Sequence, residues 1–264
     1  MQVAALASGS SGNALLIRVE GLTLLVDAGL SLPRLAAALA GFGLTPADLD
    51  LVLLTHEHHD HALAVPALQS RLQVPVLATA GTWEALGQTP RGQTLVPGRW
   101  LTLPGDLAVL PVPVPHDATE PVGFFLTHPE ARVFIATDLG HVPESLGEYL
   151  AAADLVILEA NHDPHRLRSG PYPPHLKARV ASPLGHLANE QTASALIATA
   201  TGRPRWVWLA HLSQVNNTPQ IARQTVEGRL RAAGLALTPV GVARRDRPSL
   251  VWDARRCYQQ LPLF

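Results

Sequence analysis

The sequence predicts an α+β fold in which two β-sheets pack back to back with helices on their outer faces. Short apolar runs of strand length recur along both halves of the chain, and segments with helix start and stop signals lie between them. The chain is 47% hydrophobic and 16% charged, which is sufficient for a large core and excludes an intrinsically disordered protein. Its 264 residues lie near the upper size of one domain. We therefore expect a single domain over 1–264, with two similar halves, about 1–100 and 101–264.

The first half is predicted to consist of strands followed by helices. The predicted strands are Gln2–Leu6, Ala14–Val19, Leu22–Asp27, Asp50–Leu54 and Val74–Leu77. The predicted helices are Leu35–Ala40 and Ala62–Leu72. A turn of small residues, Ser8–Asn13, separates the first two strands. The continuous apolar run at Asp50–Leu54 indicates a strand that is covered on both faces.

The second half begins near Leu95 with short strands and many prolines. The predicted strands are Leu101–Leu103, Leu107–Val114, Val122–Leu126, Val133–Ala136, Asp154–Glu159 and Trp206–Leu209. The predicted helices are Glu144–Ala152, Asn189–Ala200 and Pro219–Ala233. His162–Pro174 is polar and rich in proline, which indicates a long loop with a role in function. After Gly241 the chain is rich in arginine, and a solvated edge is favoured over a nucleic-acid patch.

Charge and composition exclude several classes of protein. The 20 Lys and Arg residues against 21 Asp and Glu residues give a net charge of −1, which argues against a polycationic coat for DNA or membranes. No apolar run approaches the ~20 residues of a membrane span, and the first residues lack the basic region of a signal peptide. A single cysteine, Cys257, excludes a disulfide framework and a cysteine-built zinc site. We predict a cytoplasmic protein with no membrane partner, whose oligomeric state the sequence does not set.

The segment 56–61, with the sequence HEHHDH, is the main candidate for a metal site, and it directly follows a predicted buried strand. His56 and His58 stand two apart in extended backbone, so both point to the same side and can hold one ion. Asp60 and His61 lie where the loop turns into the next helix and can face a second ion. Nitrogen and oxygen ligands without a thiolate suit zinc, manganese or iron. A hydrated polar turn is the simpler alternative, but four specified positions at this spacing seldom arise by chance.

This segment resembles the His-x-His-x-Asp-His signature of the metallo-β-lactamase superfamily, and the resemblance extends along essentially the whole chain. It implies an αββα sandwich of two mixed sheets. It also implies that Asp27, at the end of the third strand, supports the ligand loop. The later ligands it implies follow predicted strands, and they are His116, Asp138 and His211. One ion is then held by His56, His58, His116 and Asp138, and the other by Asp60, His61, Asp138 and His211.

The implied cofactor is therefore a pair of divalent ions per chain, manganese or zinc, with iron also compatible. Asp138 bridges the two ions in this assignment, which a carboxylate can do at a separation of ~3.5–4 Å. Such a pair lowers the pKa of a bridging water, so that a bridging hydroxide is available as the nucleophile near neutral pH. The superfamily includes thioesterases, lactonases, nucleases and redox enzymes, so the fold alone does not identify the reaction.

Four further segments point to one family within the superfamily. They are Ala7–Asn13, Asn161–Asp163, Gly185–Asn189 and His211–Asn217, and together they resemble the YycJ/WalJ family of nucleases. The one departure is Ala188, where that family is expected to have serine. The resemblance implies a 5′-to-3′ DNA exonuclease whose partner is single-stranded DNA with a 5′-phosphate. The residues expected to surround a phosphate are Ser8, Ser10, Ser11, Asn13, Asn161, His162, Asn189, Ser213 and Asn217.

Phosphodiesterase chemistry also requires a proton for the leaving alkoxide. His186 is predicted to supply it, with Glu159 holding the other ring nitrogen and raising the pKa of the imidazole. This pair resembles the additional histidine and carboxylate of the ribonuclease Z-like branch, and with Asp60 it completes the predicted catalytic set. The alternative is that His186 caps a helix or packs beneath the site.

Two other functions remain open at this stage. A small-molecule or cyclic phosphodiesterase, or a thioester hydrolase of the glyoxalase II kind, would keep the fold and change the substrate. A nucleic-acid-binding module with a vestigial metal site is a second alternative. The complete ligand set argues against the vestigial site, because a decayed site loses its ligands first.

Overall fold

The computed structural model describes residues 1–87, 93–235, 237–255 and 259–260, and its strands form two sheets. Strands β1 to β7 are Gln2–Ala7, Ala14–Val19, Leu22–Val26, Leu51–Leu53, Val76–Leu77, Leu101–Leu103 and Leu107–Pro113. Strands β8 to β14 are Val122–His128, Ala131–Ala136, Leu155–Glu159, Trp206–Ala210, Val240–Val242, Leu250–Asp253 and Gln259–Gln260. Within the described residues each sheet has seven strands, in the orders β14-β13-β1-β2-β3-β4-β5 and β12-β11-β10-β9-β8-β7-β6.

Both sheets are mixed, and the type of connection explains why. Strands β1, β2 and β3 are joined by short turns and pair antiparallel, whereas β4 and β5 add in parallel after helical crossovers. The second sheet repeats this pattern. Strands β6 to β9 form an antiparallel meander, and β10, β11 and β12 follow in parallel.

The helices cover the outer faces of the two sheets. Helices α1 to α5 are Leu32–Ala40, His59–Ala62, Val65–Arg71, Ala80–Ala85 and Gly147–Ala152. Helices α6 to α9 are Pro164–Ser169, Pro174–Val180, Asn189–Ala198 and Pro219–Ala232, and 3₁₀ turns lie at Pro46–Asp48 and Glu144–Leu146. No helix in the described part of the chain is both long enough and apolar enough to cross a membrane.

Three apolar clusters place these elements in four layers. The central cluster joins the facing sides of the sheets and includes Ile17, Phe124 and Trp208. A second cluster packs the first sheet against α1, α3 and α4, and a third packs the other sheet against α5, α8 and α9. The predicted α+β fold with two mixed sheets inside and helices outside is therefore confirmed.

Several predicted elements differ from the structure. The predicted helix Ala62–Leu72 is two helices, α2 and α3, and α2 starts within the histidine-rich segment at His59. The predicted loop His162–Pro174 contains helix α6, whose first residue is a proline preceded by the capping carboxylate of Asp163. Helices α4 and α7 were not predicted.

The C-terminal part after Gly241 is not simply a solvated edge. Strand β13 is mostly buried and pairs antiparallel with β1, so the first sheet takes strands from both ends of the sequence. The apolar triplet Leu250-Val251-Trp252 explains its burial. The division into one domain with two similar halves stays a prediction, and Cys257 lies outside the described residues.

Candidate metal centre and active-site cleft

The predicted ligands come together because each follows a strand that ends at the same side of the sandwich. The segment 56–61 follows β4, His116 follows β7, Asp138 follows β9, and His211 follows β11. Groups of His and carboxylate side chains here place their ligand atoms within 4.8 Å of one another. The groups are His56, His58 and His116; His56, His61 and Asp138; Asp60, His61 and His211; and Asp138, Glu159, His186 and His211.

The first predicted ion site has the spacing of a metal site. His58 Nδ1 lies 3.1 Å from His56 Nε2 and 3.3 Å from His116 Nε2. Zinc–nitrogen bonds of 2.0–2.1 Å in a tetrahedral site put neighbouring ligand atoms ~3.3 Å apart. The three histidines therefore present nitrogens at the separation that one shared ion requires.

The second predicted site shows the same spacing. Asp60 Oδ2 lies 3.3 Å from His211 Nε2 and 3.7 Å from His61 Nε2. Asp138 lies between the two sites, since its Oδ2 is 3.0 Å from His61 Nε2 and its Oδ1 is 3.8 Å from His116 Nε2. Apart from this contact with His61, the buried Asp138 Oδ2 has no polar partner among the described residues, so the oxygen can face a cation that lies between the two side chains.

The second ring nitrogen of four of these histidines is held by an oxygen atom. His61 Nδ1 contacts Asp27 Oδ2 at 2.7 Å, and His211 Nδ1 contacts Glu159 Oε1 at 2.8 Å. The remaining two contacts join His56 Nδ1 to Thr55 Oγ1 at 2.9 Å and His116 Nδ1 to the Gly185 carbonyl at 3.1 Å. Metal-binding histidines almost always have such a partner, which sets the tautomer and the orientation of the ring. The residues present therefore fit a metal centre.

Asp27 occupies the supporting position that the sequence predicts. Its Oδ1 accepts hydrogen bonds from the backbone and hydroxyl of Thr55, both at 2.9 Å, while Oδ2 faces His61. Asp27 and His211 have φ angles of 64° and 51°, a left-handed conformation that is uncommon outside glycine. Such strain at two residues beside one site is typical of functional geometry. Thr55 was missed, because a threonine before a histidine carries no signal of its own.

Glu159 is buried at the end of β10 and connects two histidines. Its Oε1 lies 2.8 Å from the Nδ1 atoms of both His186 and His211, and its Oε2 accepts from the backbone N–H groups of Leu139 and Leu187. The sequence predicts the contact with His186, while the contact with His211 is an additional finding. His186 is therefore oriented by the same carboxylate that orients a predicted metal ligand.

The electrostatics of the cluster favour a bound cation. Burial raises the pKa of Asp60, but its hydrogen bond with His211 and the charges of His61 and His211 outweigh this and lower the pKa to about 2. Burial lowers the pKa of His211, yet the charge of Asp138 and the bonds to Asp60 and Glu159 raise it to about 10. The carboxylates of the cluster are thus ionised and require positive charge nearby, which protonated His211 supplies here and which a divalent ion would supply in its place.

A polar cleft of 370 Å³ opens beside this cluster, in the size range of pockets that hold one small ligand. It is lined by ligand side chains together with His186, and by three residues of the predicted phosphate set, Ser10, Asn161 and Ser213. Ser11 is exposed on the same turn and does not belong to this lining. Tyr172 and Arg179 also line the cleft, and the sequence did not single them out.

Other members of the predicted phosphate set support the site from beneath. Asn189 and Asn217 are buried and exchange amide hydrogen bonds of 3.2 and 2.8 Å. Ser8 Oγ accepts from the backbone N–H of His211 at 2.8 Å. His162 is buried outside the cleft lining, and this burial lowers its pKa to about 4. These four side chains do not belong to the cleft lining, and their direct contact with a phosphate stays a prediction.

Asn13 also faces the ligands rather than the cleft. Its Oδ1 accepts from Gly9 N at 2.8 Å, and its Nδ2 lies 3.4 Å from Asp60 Oδ2 and 3.0 Å from His61 Nε2. The turn therefore positions two predicted ligands. Gly29 packs against the same place so closely that an added Cβ would lie 1.6 Å from the Asp60 carbonyl oxygen.

We expect Asn13→Ala to weaken metal binding by the ~10–100-fold that is typical when a residue supporting a ligand is removed. The reason is that the variant loses the amide beside Asp60 and His61. Competition with a chelating dye measures the affinity, and Ser11→Ala is the control, since Ser11 is exposed on the same turn. If Asn13→Ala kept its metal affinity and lost activity only on phosphorylated substrates, the predicted phosphate-binding role of Asn13 would be supported instead.

Comparison with known proteins identifies the superfamily to which the chain belongs. Residues 23–212 match the model of the β-lactamase superfamily domain. The structure resembles the metallo-β-lactamase fold protein YhfI from Bacillus subtilis with a TM-score of 0.71, at 21% identity over 95% of this chain and 98% of that one. The metallo-β-lactamase fold predicted from the sequence is confirmed.

Two curated relatives narrow the family. The exodeoxyribonuclease WalJ of Streptococcus pneumoniae is 37% identical over 240 residues, which cover 88% of this chain and 89% of WalJ. The exodeoxyribonuclease YycJ of Bacillus anthracis is 35% identical over 238 residues, which cover 88% of this chain and 90% of YycJ. The chain belongs to the WalJ/YycJ family within the metallo-β-lactamase superfamily, as the sequence motifs predict.

Proposed function

We propose that the chain is a metal-dependent exodeoxyribonuclease that removes nucleotides from the 5′ end of single-stranded DNA bearing a 5′-phosphate. The observation that carries the proposal is the shared carboxylate Glu159, which places His186 beside the predicted metal ligands at the cleft. Relatives that are 35–37% identical over most of the chain are named exodeoxyribonucleases, and this supports DNA as the substrate.

Two divalent ions, manganese or zinc with iron as a further candidate, would be held by the predicted ligands. The first set is His56, His58, His116 and Asp138, and the second is Asp60, His61, Asp138 and His211. When bound, such ions supply a Lewis acid for the phosphoryl oxygens and lower the pKa of water. Asp60 is partly exposed at the cleft. Its predicted catalytic role would therefore be that of a metal ligand on the side of the substrate.

His186 has the position and the proton affinity of a general acid. Burial lowers the pKa of its imidazole, but the charge and hydrogen bond of Glu159 outweigh this and raise it above its ordinary value. Because Nδ1 is held by Glu159, Nε2 is the nitrogen that can deliver a proton. Hydrolysis joins a water oxygen to phosphorus and breaks the bond to the 3′-oxygen of the end nucleotide, and His186 protonates that oxygen.

The rival functions differ in their leaving groups and substrates. A thioester hydrolase has little need of a proton donor, because a thiolate leaves readily, and a cyclic phosphodiesterase would take a free nucleotide. No feature of the cleft favours either one, and they are outcomes of the assay below. The named relatives are enzymes, so a binding module with a vestigial metal site is set aside. A cytoplasmic location stays a prediction.

We expect the purified protein with Mn²⁺ to release acid-soluble nucleotides from single-stranded DNA carrying a 5′-phosphate. A label at the 5′ end should be released at once, and a label at the 3′ end only after a delay. Duplex DNA, RNA, a cyclic dinucleotide and a glutathione thioester are tested in parallel, with the chelator-treated protein as control. Immediate release of the 3′ label would reverse the polarity, and hydrolysis of only the thioester or the cyclic substrate would overturn the proposal.

A further inference from the structure

One wall of the cleft is built by the segment between the end of β10 and His186. Helix α7 and the link before it contribute Tyr172, Leu176, Arg179 and Val180 to the lining. This wall is fixed to the catalytic side, because His186 N donates a hydrogen bond of 2.9 Å to the Val180 carbonyl. Gly185 packs against it so closely that an added Cβ would lie 2.2 Å from the Arg179 carbonyl oxygen. The wall is thus packed directly against the backbone that carries His186.

Arg179 presents a cation at the edge of the metal cluster. Its side chain is 55% exposed, and its Nε donates to Oδ2 of Asp117, the residue that follows the predicted ligand His116. Asp117 Oδ1 lies 3.4 Å from His116 Nε2. Among the described residues no hydrogen bond is made by the two terminal nitrogens of Arg179, so the guanidinium is oriented by Asp117 while two nitrogens remain for a ligand. A guanidinium fork of this kind suits a phosphate.

Tyr172 supplies an aromatic ring to the same wall. It is half-buried, lines the cleft, and makes no hydrogen bond or ring contact with the described residues. In contrast, Tyr149 packs against Phe125 and Phe134 in the core. Prolines on both sides of Tyr172, at 171, 173 and 174, restrict its backbone. A ring at the cleft that has no partner among the described residues is a suitable surface for a flat ligand.

We propose that Tyr172 and Arg179 form the subsite for the end nucleotide of a DNA strand, in which the Tyr172 ring stacks on the base and Arg179 binds the 5′-phosphate. The proposal rests on the nuclease function and adds its source of specificity. Stacking on an aromatic ring tolerates every base but requires that the base be unpaired. The subsite therefore selects single-stranded ends without regard to sequence.

The stacking contact is tested with two oligonucleotides that differ only in the end nucleotide, one intact and one abasic. Tyr172→Ala should lower kcat/KM roughly tenfold or more on the intact substrate and leave the abasic one unchanged. Tyr172→Phe should retain activity on both, since the ring is kept. His175→Ala, an exposed residue on the same wall, is the matched control. Equal losses on the intact and abasic substrates, or no loss on either, would refute the stacking role.

The phosphate contact is tested with substrates that carry a 5′-phosphate or a 5′-hydroxyl. Arg179→Ala should raise KM on the phosphorylated substrate and leave kcat and the hydroxyl substrate unchanged, and Arg179→Lys should recover part of the loss. Lys177→Ala removes a cation from the same helix outside the cleft lining and should match wild type. Equal effects of Arg179→Ala on the phosphate and hydroxyl substrates would contradict the role of Arg179 in binding the 5′-phosphate. If the wild-type protein leaves all DNA intact, the nuclease function itself is overturned. If the wild-type protein cleaves DNA but the Tyr172 and Arg179 variants lose activity equally on the paired substrates, only the subsite is overturned.

Discussion

Asp138→Ala is expected to lose metal from both positions and to have no measurable nuclease activity. Asp138 is the one residue assigned to both ion sites, and its carboxylate lies between the two ligand sets. Its Oδ2 is 3.0 Å from His61 Nε2, and its Oδ1 is 3.1 Å from His211 Nδ1 and 3.8 Å from His116 Nε2. Removal of the carboxylate takes away a ligand from each ion and also the negative charge that offsets their repulsion. Elemental analysis of the purified variant, saturated with Mn²⁺ or Zn²⁺ and desalted, gives the number of ions per chain.

Two further variants, each lacking a ligand assigned to one ion only, test the two ion sites separately. His116→Ala should reduce occupancy mainly in the first set, and His211→Ala mainly in the second, so each should retain about one ion per chain. Asp246→Ala removes an exposed carboxylate far from the ligands in sequence and should keep the wild-type content. Two ions per chain in Asp138→Ala would remove the bridging assignment, because each site would then be complete without it.

The strands and the ligands were predictable from sequence because their signals are local. An apolar run such as Leu51–Leu53 followed by the histidine-rich segment 56–61 specifies both a buried strand and a turn of ligands. The later ligands His116, Asp138 and His211 were implied by the superfamily resemblance, and each follows a predicted strand, where side chains at strand ends meet at one side of a sheet. The structure brings all of these side chains together.

The structural features that the sequence did not predict concern side chains whose environment is set by distant parts of the chain. Asn189 and Asn217 are 28 positions apart and pair with each other, so the sequence offers no sign that their amides are buried. Conversely, Tyr172 lies in the predicted loop His162–Pro174 and Arg179 lies just beyond it, and the packing of this segment against Gly185 and His186 brings both residues to the cleft. The resemblance to the family identified the four motif segments, but it did not show which of their polar side chains are exposed at the cleft.

His186→Ala is expected to slow DNA cleavage by ~10²–10⁴-fold, the range typical of a lost acid–base group, and to spare an activated phosphodiester. The alkoxide released from DNA leaves poorly without a proton, whereas p-nitrophenolate needs little proton assistance. The imidazole is held for this task, since Glu159 binds its Nδ1 at 2.8 Å and itself accepts two backbone hydrogen bonds. Rates on DNA and on a nitrophenyl phosphodiester are compared in the same preparation of His186→Ala, after this variant has been shown to retain wild-type metal content.

Glu159→Gln provides the second arm of this comparison. The amide keeps the shape of the side chain and loses the charge that raises the pKa of His186, so DNA cleavage should fall by less than in His186→Ala. Because Glu159 also holds His211, a measured loss of metal in Glu159→Gln would show that its main role is to position that ligand. Equal losses of His186→Ala on DNA and on the nitrophenyl substrate would make His186 a positioning residue. Full activity of His186→Ala on both substrates would contradict the general-acid mechanism, because the 3′-oxygen would then have to obtain its proton from another group.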